Sequence, residues 1–155
     1  MSNWVSENLS QGIHVYSGGE GSTVVLVPGW PETAEAYSEL FPLLAQDHSI
    51  LCVDPPGLGD SAPFEIGYDT GAISRTVEHG LRSRIKDSFH LVGHDVGAWI
   101  AYDWLVNNKA EHPERITRAN RGSLGGMLFE ARGDERWVCL LSFRIGERLP
   151  EHSIQ

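Results

Sequence analysis

Five residues, Gly93-His94-Asp95-Val96-Gly97, constrain the fold more than any other stretch of the chain. They follow a short apolar run, Phe89-His90-Leu91-Val92, and precede a helical segment from Ala98 to about Val106. Glycine two places either side of a central residue suits a strand that bends into a helix within one tight turn, where larger side chains would strike the opposite limb. Such a bend drives the central residue toward positive φ, which Asp tolerates better than most residues with a Cβ. It lifts that side chain out at the C-terminal edge of a sheet, where open α/β folds bind ligands. The helix behind it offers N–H groups and a positive dipole end to a carboxylate. Two readings of Asp95 fit these five residues alone: a cap for the following helix, or an exposed nucleophile.

The rest of the chain up to residue 116 agrees with an α/β fold. Val5–Leu9 and Ile13–Tyr16 read as a hairpin broken at Gln11-Gly12. Thr23-Val24-Val25-Leu26-Val27 is a continuous β-branched run, the mark of a strand covered on both faces. From Thr33 to Gln46 the apolar residues Ala36, Tyr37, Leu40, Phe41 and Leu44 recur at helical spacing. Ser49–Val53 is a second buried strand, residues 70–85 read as a helix, and 89–92 is a third strand. Strand and helix alternating in this way require crossovers and a mainly parallel sheet.

Charge divides the chain. Residues 1–115 carry 6 Lys+Arg against 16 Asp+Glu, a balance of -10, while 116–155 carry 6 Arg and 5 acids, a balance of +1; together they give the net charge of -9. So acidic a chain is a poor partner for nucleic acid or an anionic membrane. No apolar run approaches the length of a membrane span, and Met1–Ser10 lacks the pattern of a signal peptide. Cys52 and Cys139 show no metal-like spacing, and Cys52 lies in an apolar run that suits a buried thiol, so a cytoplasmic location is expected. His14, His48, His79, His90 and His112 show no ligand spacing, and neither a metal nor a cofactor is expected. Trp99 and Trp104 read as packing residues rather than a binding cage.

Two further motifs give Asp95 its context. Pro28-Gly29-Trp30-Pro31 follows the first buried strand, and Asp54-Pro55-Pro56-Gly57-Leu58-Gly59-Asp60-Ser61 follows the second. With the Gly93–Gly97 turn, in this order, they resemble the α/β-hydrolase fold family over residues 12–116. The nearest likeness is to its aspartate-nucleophile branch, the epoxide hydrolases and the haloalkane or haloacetate dehalogenases. That branch carries a His-Gly-x-Pro loop, an Asp-x-x-Gly-x-Gly-x-Ser loop and a Gly-His-Asp-x-Gly elbow.

The resemblance implies that Asp95 attacks a carbon of a small epoxide, halide or ester and forms an alkyl ester. It implies that the backbone N–H groups of Trp30 and Val96 form the oxyanion hole. Gly93, His94, Gly97, Gly29, Pro31, Asp54, Gly57 and Gly59 then shape the elbow and loops, with Ser61 making a local hydrogen bond.

The departures are informative. Pro28 stands where the family has His, so a side chain that braces the first loop is missing. Val96 stands where many relatives place Trp, which removes an indole N–H able to hold a halide. Tyr16, Tyr37, Tyr68 and Tyr102 all lie in the core half, whereas the family's acid donors to an epoxide sit in a helical cap. After Arg115 the pattern stops: Ile116–Gly122 is not the apolar strand expected there, and Trp137–Phe143 stands isolated among Arg and Gly. Glu130–Arg136 is a mixed charge run suited to a solvated face.

The expectation is therefore the N-terminal half of an α/β-hydrolase core over 1–116, with an irregular or frame-altered tail over 117–155. Glu151 and His152 are poor candidates for the acid–His pair. Two readings of the whole chain stay open. One is a hydrolase acting on a small molecule through Asp95. The other is a truncated or non-catalytic chain that lacks the cap and the acid–His pair, whose sheet edge beside the nucleophile strand offers a route to self-association.

Overall fold

The computed structural model describes residues 4–64, 67, 69–85, 89–111, 118–121 and 127–130. The β-branched run becomes β3, Ser22–Val27, between β4, His48–Asp54, and β5, Phe89–Gly93. Both pairings are parallel, with Val25 opposite Leu51 on one side and Leu91 on the other. On the far side of β4 the hairpin of β1, Val5–Asn8, and β2, His14–Gly18, joins antiparallel, giving the order β1-β2-β4-β3-β5. The hairpin turns through Gln11 and Gly12, both left-handed at φ 63° and 69°. Among the described residues, β5 is paired on one side only.

Alternation along the strands explains why the run is apolar throughout. Val25 and Val27 point to one face, where they pack with Ile73 and Val77 of α2 (Thr70–Leu81) and with Ala98, Ile100 and Trp104 of α3 (Val96–Glu111). Val24 and Leu26 point to the other face and meet Ala34, Phe41 and Cys52. From Val24 to Val27 every side chain is buried, which stabilises the strand by roughly 1.5–3 kcal/mol per large aliphatic residue. Asp69 starts α2 by accepting the Ala72 N–H at 2.8 Å. Trp104 packs on Phe89 with ring centroids 5.4 Å apart, a core role. Among the described residues, no helix is long and apolar enough to cross a membrane.

One expected helix is broken. Residues 33–46 form a 3₁₀ turn, Ala34–Tyr37, and a short helix α1, Phe41–Leu44. Pro42 is the cause: its nitrogen has no hydrogen for the Ser38 carbonyl and its ring collides with that carbonyl, so a continuous helix cannot pass through it. Apolar spacing survives because both pieces still face the sheet.

The region after Arg115 also differs from expectation. Arg118–Arg121 (β6) and Met127–Glu130 (β7) pair antiparallel as a separate two-stranded sheet, with Arg118 opposite Glu130 and Arg121 opposite Met127. A hairpin needs only local pairing, and the intervening Gly122–Gly126 is rich in glycine, so an apolar run is not required. Tyr68, His112, Trp137–Phe143 with Cys139, Glu151 and His152 lie outside the described residues, as does the charge run beyond Glu130.

Candidate active site

β5 ends at Gly93 and α3 starts at Val96, so His94 and Asp95 alone make the turn. Asp95 has φ +51°, the left-handed conformation that the spacing of the glycines demands. A Cβ on Gly93 would lie 2.4 Å from the Gly97 carbonyl oxygen, and one on Gly97 would lie 2.2 Å from the carbonyl oxygen of Val27. Those are backbone atoms and cannot step aside. The turn is tied down by His94 N–H on the Val27 carbonyl at 3.1 Å and Ala98 N–H on the Asp95 carbonyl at 3.0 Å. Val27's carbonyl also accepts the Tyr37 hydroxyl at 3.1 Å, and burial pushes Tyr37's pKa well up, so it stays a donor.

The loop after β3 comes to the same place. Its turn is closed by Glu32 N–H on the Gly29 carbonyl at 2.9 Å, with a cis peptide between Trp30 and Pro31. The next N–H, that of Trp30, donates to Asp95 Oδ2 at 3.2 Å. The Asp95 carboxylate thus faces the loop, not merely its own helix. Gly29 must be small, since a Cβ there would sit 2.8 Å from Asp95 Cβ. Val96 opens α3, where first-turn N–H groups have no acceptor within the helix.

The loop after β4 is organised by a buried acid. Asp54, 1 % exposed, accepts Ala34 N–H at 2.8 Å through Oδ1 and Asp60 N–H at 3.0 Å through Oδ2. Gly57 and Gly59 are left-handed at φ 78° and 53°, and a Cβ on Gly59 would overlap the Asp54 carboxylate. Ser61 donates to the Asp54 carbonyl at 2.6 Å and accepts His14 N–H at 2.8 Å, fastening the loop to β2. Asp54→Ala strands the buried Ala34 N–H, whereas the exposed Asp60 amide can turn to water. We expect a loss of about 2 kcal/mol, seen as a fall of about 4–8 °C in melting temperature. An unchanged melting curve would refute this role.

These loops frame a cavity of about 440 Å³ lined by Pro28, Gly29, Trp30, Pro55, Pro56, Leu58, Ile73, Val96 and Ile100. Asp95 stands at its margin, bonded to Trp30 and followed by Val96. The residues singled out in the sequence therefore converge: the elbow and first loop meet at the carboxylate, and the Asp54 loop supplies another wall. Cys52 is buried away from this carboxylate: burial holds its thiol well above its usual pKa and it faces the Ala34 carbonyl.

Three contributors escaped the sequence, Ile100 of α3 among them. Ile73 reaches the cavity from α2, and its apolar spacing marks it only as core. Glu32 binds His94 and the Gly29 N–H, yet in sequence it is one of three acids, with Glu35 and Glu39, around an expected helix start. Its position directly after the Pro28–Pro31 turn was the available signal.

The profile of the Alpha/beta hydrolase family matches residues 24–149. The chain is 28% identical over 97 residues to a soluble epoxide hydrolase of Corynebacterium sp. (strain C12), a match covering 63% of this chain and 34% of that protein. It is 28% identical over 109 residues to a fluoroacetate dehalogenase of Burkholderia sp., covering 67% and 34% respectively. The ligand-free structure of the epoxide hydrolase CorEH superposes with a TM-score of 0.63 at 25% identity, over 68% of this chain and 38% of that one. The matches thus span about a third of the length of these curated relatives. With its mixed sheet centred on the parallel strands β4, β3 and β5, its strand-to-helix elbow and a family profile that matches residues 24–149, the chain belongs to the alpha/beta hydrolase family.

Proposed function

We propose that the chain binds a small apolar epoxide in the cavity and that Asp95 opens it. The observation that carries this reading is the Trp30 N–H on Asp95 Oδ2, with Asp95 at φ +51° at the margin of an apolar cavity. With Oδ2 held, Oδ1 is the free oxygen. It bonds to a ring carbon, the carbon–oxygen bond of the epoxide breaks with its electron pair on oxygen, and that oxygen takes a proton from water. The product is a hydroxyalkyl ester of Asp95. When water later adds to the ester carbonyl, negative charge grows on the oxygen already facing Trp30 N–H, with Val96 N–H as the second donor.

The apolar lining supports an alkyl or aryl group as the part of the substrate that enters. The epoxide hydrolase and the dehalogenase among the relatives support a carbon electrophile. Val96 in place of an indole donor favours the epoxide over the halide.

Alkylation requires Asp95, its donors and a water to protonate the opened oxygen, whereas ester hydrolysis also requires a base. The test is therefore incubation of the full chain with 1,2-epoxyhexane, followed by intact mass and peptide mapping. The expected result is one hydroxyalkyl group on the Asp95 peptide. Unmodified protein, or label spread over surface carboxylates, would sink the reading. Diol released alongside the adduct marks a complete hydrolase; adduct alone marks a chain that stops at the ester.

A further inference from the structure

The 29–32 turn meets the elbow at a second point besides Trp30 and Asp95. One oxygen of Glu32, Oε2, lies 3.2 Å from Gly29 N and 3.1 Å from His94 Nδ1, both partly buried contacts. A carboxylate accepts, so the shared proton sits on Nδ1 of His94. Consecutive N–H groups of the turn are thereby divided: that of Gly29 goes to Glu32, and that of Trp30 goes to Asp95. Two carboxylates approach the same glycine, since a Cβ on Gly29 would stand 3.1 Å from Asp95 Oδ2 and 3.2 Å from Glu32 Oε2. Each has its own backbone donor, and the His94 ring bonds to one of them. Without Glu32, the Gly29 N–H would be free to swing toward Asp95 and the loop would lose one of its ties to the elbow.

We propose that Glu32 and His94 form a positioning pair that holds the Trp30 N–H on Asp95. Glu32 binds the loop through Gly29 and the elbow through His94, so the two limbs of the site keep one spacing while charge moves between the Asp95 oxygens. Pro28 supplies no hydrogen bond to brace this loop, and Glu32 does so from the other end of the turn. Both act through the placing of other groups, not as the attacking atom. The proposal rests on Asp95 being the nucleophile, and its test is built to separate the two.

Glu32→Ala and Glu32→Gln are compared in the full chain, since the Gln amide oxygen can still accept from His94 and Gly29. With 1,2-epoxyhexane, the maximal labelling rate of Asp95 is expected to fall about 10–100-fold in Glu32→Ala, as for a site loosened by about 1 Å or less. The half-saturating concentration stays unchanged, because the apolar lining is intact. Glu32→Gln restores the rate to within about 3-fold, the acceptor being kept. Hydrogen exchange at the Trp30 amide, read by NMR, accelerates in Glu32→Ala and not in Glu32→Gln. Wild-type labelling speed in Glu32→Ala overturns the proposal, and so does equal damage in both variants, which would indicate general loosening. Should the wild-type chain take no label, the nucleophile reading fails and the Trp30 amide alone decides: faster exchange confined to Glu32→Ala upholds the pair, and unchanged exchange removes it.

Discussion

Asp95→Asn is expected to stop covalent labelling by 1,2-epoxyhexane, with the rate falling about 10³-fold or more, while the protein melts within about 1 kcal/mol of wild type. Asparagine is the informative replacement for two reasons. It tolerates the left-handed backbone seen at φ +51°, so the turn is kept. Its amide oxygen also accepts the Trp30 N–H that the carboxylate accepts at 3.2 Å, so the loop stays docked. What is lost is the anionic oxygen that the proposed mechanism uses for attack. Asp95→Ala would mix that loss with backbone strain of roughly 1–2 kcal/mol. Peptide mapping adds a sharper discrimination, because Glu32 is the other carboxylate at Gly29. Label that persists in Asp95→Asn, or that maps to Glu32, assigns the chemistry to the wrong acid and defeats the reading.

What could be read from the sequence depended on whether a local pattern had one structural solution. Gly93, Asp95 and Gly97 had one: a strand, a bend and a helix leave no room for other side chains, and the bend forces the middle residue. Continuous β-branched runs likewise mean strands covered twice, and β3 and β4 are so covered. The segment 33–46 failed because two forces disagree there. Its apolar spacing records which face meets the sheet, and Pro42 records that one helix cannot carry it. The β6–β7 hairpin was missed because strand pairing was sought through apolarity, whereas a hairpin can be set by local ladder bonds alone. Glu32 was signalled only by its place directly after the Pro28–Pro31 turn, for a different reason. Its partners, His94 and the Gly29 N–H, come together only once the first loop folds back across the end of β5, and no spacing in the sequence encodes a distance of 62 residues. The pair of acid and His that would activate water falls outside the described residues if it is formed by Glu151 and His152.

Gly97→Ala should be the most damaging single methyl group in the site, at a cost of roughly 3 kcal/mol. The added carbon would lie 2.2 Å from the Val27 carbonyl oxygen and 2.4 Å from that of Pro28. Neither can move cheaply. Val27 ends a strand paired on both sides, and its carbonyl already accepts His94 N–H and the Tyr37 hydroxyl. Pro28 has its φ fixed by its own ring. Relief must come from α3 tilting away from β3, which would pull Ala98, Ile100 and Ala101 out of a core where none is more than 5% exposed. The same tilt carries Asp95 off the Trp30 N–H, so stability and chemistry should fall together. The melting temperature is expected to drop by about 6–12 °C, and the labelling rate at Asp95 by about 100-fold. Gly12→Ala gives a useful contrast: its Cβ would strike the Ala62 side chain at 2.6 Å, far from the elbow, so it should destabilise without slowing the Asp95 that remains folded. If Gly97→Ala melts like wild type and labels normally, α3 does not press against the end of β3, and the geometry that holds Asp95 at the margin of the cavity is wrong.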